Sequence, residues 1–196
     1  MLTHMAQRLS SFFISKNIIK EEDREVYDYS FEILLSTLIN LGAVIIFAVV
    51  SRSVVPTLFF LLGFMAIRTT AGGFHAETHI GCFLILVGSY TIYLLMLVLM
   101  SSYILSIIAL ILCIISWLLV VVFSPVEDYN KPFTKEEYKR FKIVSNTSVV
   151  ITSIIVYFFI EFLEKEEWGF SIAAGMCVVS LSLIAGNVKN KLRESR

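Results

Sequence analysis

Apolar residues occur in long uninterrupted runs along this chain, and the charged residues are almost confined to the intervals between them. Asp, Glu, Lys and Arg are absent from residues 33–51, 53–67, 78–126, 143–160 and 168–188. A helix needs about 20 apolar residues to cross a bilayer, so the longest run is sufficient for two crossings. The pattern therefore predicts an all-α integral membrane protein of six transmembrane helices, forming a single domain over residues 1–196.

The predicted spans cover residues 31–51, 54–68, 80–100, 103–123, 143–163 and 169–187. The second span is short and contains Pro56, so we expect it to be tilted, broken or partly re-entrant. Residues 1–20 precede the spans and place apolar residues at helical spacing among Arg8, serines and lysines. They predict an amphipathic helix that either lies in the inner membrane interface or packs on the protein itself.

Composition and charge sharpen this picture. Hydrophobic residues make up 57% of the chain and charged residues only 16%, whereas soluble domains carry about 25% charged residues. With a cytoplasmic N-terminus, all of the 16 basic residues except Arg52 and Lys165 fall on the cytoplasmic side. Because Lys and Arg are enriched in cytoplasmic loops, both termini are predicted to be cytoplasmic. Nothing in this distribution indicates nucleic-acid binding.

Candidate chemistry is concentrated where the second span ends and the third begins. Gly72 and Gly73 precede His75, and Cys82 follows seven residues later. A histidine can accept the proton of a cysteine thiol and so generate a nucleophile, and a cytoplasmic thiol stays reduced. Alternatively His75, His79 and Cys82, which recur at i, i+4 and i+7 of a helix, could ligate zinc. A structural role for the same residues is the third interpretation.

The spacing of this motif closely resembles that of the accessory gene regulator B (AgrB) family, peptide-processing enzymes of Gram-positive quorum sensing. The matching positions are Arg68, Gly72-Gly73, His75-Ala76 and Cys82. Glu32 lies in a segment that resembles the start of the family's first span. Ser124-Pro125 and Lys131-Pro132 resemble its loop after the fourth span.

The resemblance implies a membrane cysteine endopeptidase in which His75 and Cys82 are catalytic. Its substrate would be an AgrD-like propeptide with an amphipathic leader and an acidic C-terminal tail. Cleavage through an acyl-enzyme thioester would be followed by cyclisation to a thiolactone or lactone. His79 is not a position shared with the family, so zinc is disfavoured, and no metal or cofactor is implied. The resemblance also implies a bacterial cell membrane location, lipid contacts, a cytoplasmic active site and a homodimer.

Supporting roles have competing interpretations. Glu32 could orient His75 or be an interfacial carboxylate, and Arg68 could stabilise a thiolate, bind a substrate carboxylate or anchor its span. Gly72 and Gly73 would allow close approach of substrate to the backbone. The remaining candidates are basic residues that could attract the acidic tail or simply set topology: Lys135, Lys139, Arg140 and Lys142.

The alternative function from another class is a membrane peptide transporter or exporter without covalent catalysis. Six spans and little soluble mass fit it, but the sequence shows neither a nucleotide-binding loop nor an obvious inverted repeat. A substrate fragment trapped on Cys82 would distinguish the enzyme from the transporter.

Overall fold

The structure is a computed structural model that describes residues 2–72, 79–127 and 133–194, without the side chains of residues 79, 80, 82, 193 and 194. Within these ranges the chain is helical and contains no strand. The helices are α1 (Leu2–Ser15), α2 (Arg24–Val50), α3 (Val54–Ala71), α4 (His79–Leu99), α5 (Ser102–Phe123), α6 (Lys135–Glu161) and α7 (Glu166–Glu194). The predicted all-α class is confirmed, with six long helices after a shorter N-terminal one.

In the described part of the chain, five helices are long and apolar enough to cross a membrane: α2, α3, α5, α6 and α7. In α4 the apolar stretch among the described residues is shorter, Phe83–Leu99. Large apolar side chains cover the outer faces of these helices, as expected where lipid replaces water as the solvent. The chain is therefore a multi-pass membrane protein.

Three features of the helices differ from the sequence prediction, in addition to α7, which covers Glu166–Glu194 rather than residues 169–187. Helix α2 begins at Arg24 rather than at 31, and α6 begins at Lys135 rather than at 143. Thr134 caps α6 through a reciprocal capping box with Glu137, a start signal that the charge-free interval does not include. The third difference is that α3 is one unbroken helix, because Pro56 lies in its first turn, where backbone N–H groups have no intrahelical acceptor.

Helix α7 forms the centre of the bundle and packs against α3, α5 and α6. Most of the apolar part of α7 is buried, whereas in the other four spanning helices only about a quarter of the residues are fully buried. Its closest approach is to α3. A Cβ added to Gly63 would lie 2.1 Å from the Ile172 carbonyl oxygen, and one added to Gly175 would lie 2.0 Å from that of Phe60. Glycine at both positions lets the two backbones touch, which is how many membrane helices associate.

Helix α4 is attached to α3 and α7 by a buried aromatic cluster. The hydroxyls of Tyr90 and Thr57 are 2.6 Å apart, and those of Tyr93 and Ser171 are 2.8 Å apart. The Phe60 ring packs against both tyrosine rings, at centroid distances of 5.5 and 4.7 Å. Because both hydroxyls have partners, the rings can be buried without leaving an unsatisfied polar group.

Helix α1 packs on the first half of α2. Ala6 and Ser10 are fully buried one helical turn apart, and the Phe13 and Phe31 rings stack at 5.5 Å. Of the two interpretations of residues 1–20, packing on the protein is therefore observed. Met5 and Phe12 remain exposed on the outer side of α1, so the interfacial position stays a prediction for that face.

Candidate active site

The predicted catalytic motif lies only partly within the described residues. Gly73 and His75 fall in residues 73–78, outside them. Cys82 lies in the first turn of α4, which begins at His79, but its side chain and that of His79 are also outside. The distance between the thiol and the imidazole therefore stays a prediction. The described structure places the two ends of the motif, the end of α3 and the start of α4.

Gly72 ends α3 in a conformation that glycine favours. Its φ is +75°, and a Cβ at this position would lie 2.6 Å from the carbonyl oxygen of Val126. The conformation and the close approach both disfavour any larger residue. In the described residues, the close neighbour of Gly72 is thus a backbone carbonyl of the chain itself. Contact of Gly72 with substrate remains a prediction.

Arg68 lies in the last turn of α3 and is partly buried. Its Nη1 donates a hydrogen bond to the carbonyl oxygen of Gly72 at 3.3 Å. A cation in the last turn also interacts favourably with the partial negative charge of the helix C-terminus. Arg68 therefore stabilises the end of α3, and its roles toward a thiolate or a substrate carboxylate stay predictions.

Glu32 lies on a face of α2 that is polar at one residue per turn. Ser36 and Asn40 follow it at four-residue intervals, and both are buried. The Thr3 hydroxyl of α1 donates a hydrogen bond to Glu32 Oε1 at 2.8 Å. The carboxylate is therefore held by a described neighbour on α1, which sequence reasoning did not anticipate. Any contact between Glu32 and His75 lies outside the described residues.

The chain that leaves α5 packs directly against the end of α3. We call residues 123–127 the exit turn. The Val126 N–H donates to the carbonyl oxygen of Ala71 at 3.0 Å, and the hydroxyls of Ser124 and Ser145 are 2.5 Å apart and buried. The exit turn thus joins the last residue of α3 to α6.

Lys142 of α6 holds the start of the exit turn. Its Nζ donates to the carbonyl oxygens of Val121 at 2.5 Å and Ser124 at 2.6 Å. These carbonyls belong to the end of α5, where backbone acceptors lack helical partners and a cation is favoured. Lys142 was grouped by sequence with the other basic residues as a tail-binding candidate, but its ammonium group is directed at the protein backbone.

Two asparagines of α7 hold the rest of the exit turn. The Nδ2 of Asn187 donates to the carbonyl oxygen of Phe123 at 3.0 Å, and that of Asn190 donates to Glu127 at 2.9 Å. They lie three residues apart and so share a helix face. Sequence reasoning missed both. Their occurrence one turn apart at the end of an apolar run was the only signal available.

Lys135, Lys139 and Arg140 lie in the first two turns of α6 and are exposed. Sequence reasoning placed them in a loop, whereas the helix fixes their spacing. Because α6 begins close to the exit turn, which contacts the end of α3, these cations lie at the same end of the bundle as the motif.

The family model described as "Accessory gene regulator B" matches residues 6–183, which is most of the chain. The chain belongs to the AgrB family. No curated protein and no solved structure matches it. Family membership supports an accessory gene regulator role for this membrane protein in quorum sensing, and the family is one of peptide-processing membrane proteins.

In this AgrB-family chain, the helix ends that flank the motif lie at one end of the bundle. The ends of α3 and α5 and the C-terminal part of α7 meet there through the exit turn. At the other end, Trp168 stacks on Phe59 at 4.9 Å, and the Lys165 ammonium lies over the Trp168 ring. Aromatic residues of this kind are enriched at membrane interfaces.

Proposed function

We propose that this AgrB-family protein is a membrane-embedded cysteine endopeptidase and peptide cyclase. The family match over residues 6–183 carries this proposal, and the sequence supplies the matching His75 and Cys82. The proposed substrate is an AgrD-like propeptide with an amphipathic leader and an acidic C-terminal tail, processed at the cytoplasmic face of the bacterial cell membrane.

In the first step, His75 takes the proton of the Cys82 thiol, and the thiolate attacks the carbonyl carbon of the peptide bond that precedes the tail. The C–N bond breaks, and His75 returns the proton to the departing amine of the tail. The remaining propeptide is then joined to Cys82 as a thioester. The position of Cys82 in the first turn of α4 supports this step, because the partial positive charge of a helix N-terminus stabilises an anion.

In the second step, a cysteine thiol or serine hydroxyl of the propeptide attacks the thioester carbonyl. His75 takes the proton of that thiol or hydroxyl, the bond between the acyl carbon and Cys82 sulfur breaks, and the ring closes as a thiolactone or lactone. The proton then returns from His75 to the Cys82 thiolate. Water must be kept away, because hydrolysis of the thioester would give a linear peptide. The free energy changes little when one thioester is exchanged for another, whereas it rises when an amide is converted to a thioester. We therefore infer that the reaction is reversible and proceeds because the tail or the product is removed.

The direct test reconstitutes the protein in lipid nanodiscs with an AgrD-like propeptide that has a ring cysteine. Cys82→Ala and His75→Ala should each abolish release of the tail, and the double variant should lose no more, because the two groups act as one unit. Cys113→Ala and Cys177→Ala are matched controls, since both thiols are buried, and both variants should retain activity. Cleavage by Cys82→Ala, or loss of cleavage on adding a chelator, would contradict the proposal.

A further inference from the structure

The exit turn is held from two helices that do not carry the catalytic motif. Lys142 belongs to α6, and Asn187 and Asn190 belong to α7. We call these three residues the clamp. Together they donate hydrogen bonds to four carbonyl oxygens of α5 and the exit turn, those of residues 121, 123, 124 and 127. Residues 124–127, which follow α5 and belong to no helix, are thus held at both ends by side chains.

The clamp fixes the exit turn, and the exit turn fixes the end of α3. The Val126 N–H satisfies the carbonyl of Ala71, an acceptor at the helix end that lacks an intrahelical donor. The Val126 carbonyl lies so close to Gly72 that there is no room for a Cβ. A displacement of Val126 would therefore move Gly72, where the backbone leaves α3. His75 follows Gly72 by three residues, so the start of its segment would move as well.

We propose that the clamp is a positioning device for the catalytic motif. By holding Val126 against Ala71 and Gly72, Lys142, Asn187 and Asn190 set where the segment carrying His75 begins relative to α4, which carries Cys82. This inference rests on the proposed function. It assigns the three residues no contact with substrate. Their effect is on geometry, and a misplacement of about 1 Å can lower a rate by about 100-fold.

The first test measures the reactivity of Cys82 without substrate. In a Cys113→Ala, Cys177→Ala background Cys82 is the only thiol, since the chain has three cysteines. The rate of alkylation by N-ethylmaleimide is followed against pH in nanodiscs. Asn190→Ala and Lys142→Met should lower the neutral-pH rate by about 10-fold, toward that of His75→Ala, because the thiol loses its positioned proton acceptor.

Conservative variants and matched controls separate positioning from general damage. Lys142→Arg and Asn190→Gln keep a donor and should recover most of the rate. Lys191→Met is the lysine control, because Lys191 is exposed at the end of α7. Asn146→Ala is the asparagine control, because its side-chain oxygen has no hydrogen-bond partner in the described part of the chain. Both controls should behave as the parent protein.

A second test uses the cleavage reaction. Asn190→Ala should lower kcat by about 10-fold while KM changes less than about twofold, since the clamp affects the chemical step rather than binding. Gly72→Ala perturbs the same contact from the other side. If both act through Val126, the double variant Gly72→Ala, Asn190→Ala should lose much less than the product of the single losses.

The outcomes distinguish the inference from the function on which it rests. If His75→Ala leaves the alkylation rate of Cys82 unchanged, the proposed dyad fails. If His75→Ala lowers the rate but folded Asn190→Ala and Lys142→Met do not, only the clamp fails. If Lys142→Met does not fold, Asn190→Ala alone decides, because it removes a single hydrogen bond at the end of the turn. The inference would also be overturned if the loss of kcat in the double variant Gly72→Ala, Asn190→Ala equalled the product of the two single losses.

Discussion

The contact between α3 and α7 predicts how Gly→Ala substitutions change the stability of the protein. Alanine should destabilise it at the two glycines of this contact but not at glycines outside it. Gly63→Ala would place a Cβ 2.1 Å from the Ile172 carbonyl oxygen, and Gly175→Ala would place one 2.0 Å from that of Phe60. Real Cβ contacts essentially never fall below 3.0 Å. The obstructing atoms belong to the backbone and cannot rotate away, so the two helices must separate.

The size of the effect follows from this separation. A gap of about 1 Å forfeits a quarter to a half of each contact's dispersion energy, and overpacking a core costs about 1–3 kcal/mol. Alanine in place of glycine recovers up to about 1 kcal/mol of helix propensity. At a contact between two backbones the overpacking cost is expected near its upper limit. Each substitution should therefore destabilise the protein by about 2 kcal/mol.

The control glycines lie in the same protein. A Cβ on Gly42 of α2 or Gly88 of α4 would meet nothing within 4 Å, so alanine there should be neutral or stabilising by up to about 1 kcal/mol. Stability is measured by SDS titration in mixed micelles, followed by far-ultraviolet circular dichroism. Parent-like stability of Gly63→Ala and Gly175→Ala, or equal losses at Gly42→Ala, would refute the close packing of α3 on α7.

Three further predictions concern topology and chemistry. An impermeant thiol reagent should reach a single cysteine placed at Lys165 from outside intact cells but not one placed at Lys135 or Lys191, and outside labelling at 135 would reverse the topology. Glu32→Gln should keep protein level and propeptide binding but slow cleavage by about 10-fold if the carboxylate orients the histidine, whereas unchanged turnover would leave Glu32 as an interfacial carboxylate bonded to Thr3. Added tail peptide should slow net cyclisation in proportion to its concentration, because the acyl transfer is reversible. An unchanged cyclisation rate at a saturating concentration of tail peptide would contradict this reversibility.

The spans could be predicted from sequence because a helix that crosses a membrane needs a run of about 20 apolar residues. The charge-free intervals located α3, α4 and α5 to within a few residues of their observed bounds. They could not locate the start of α6, because its first two turns are charged and its start depends on the capping box of Thr134 and Glu137. Hydropathy reports burial in lipid, whereas a helix continues into water wherever its caps and propensities allow.

The contacts around the motif could be predicted much less well. Gly72 was identified as a position of unusual backbone freedom, and its positive φ agrees with that. Asn187 and Asn190 gave no usable signal, because a pair of asparagines one turn apart does not specify which carbonyls they will meet. Those carbonyls lie about 60 residues earlier in the chain, and only the packing of α7 at the centre of the bundle brings them together.

The proposal that the protein forms a covalent intermediate on Cys82 is tested most directly by intact mass measurement. A propeptide whose ring-closing residue is replaced by alanine is incubated with the protein in nanodiscs. The tail can then be released, but the ring cannot close. We predict a species heavier by the propeptide without its tail, located on Cys82 and removed by added thiol. Release of the tail without formation of this adduct would contradict covalent catalysis at Cys82. If neither adduct nor tail release occurs, and the same protein in sealed proteoliposomes carries the peptide across the membrane, the transporter interpretation would replace it.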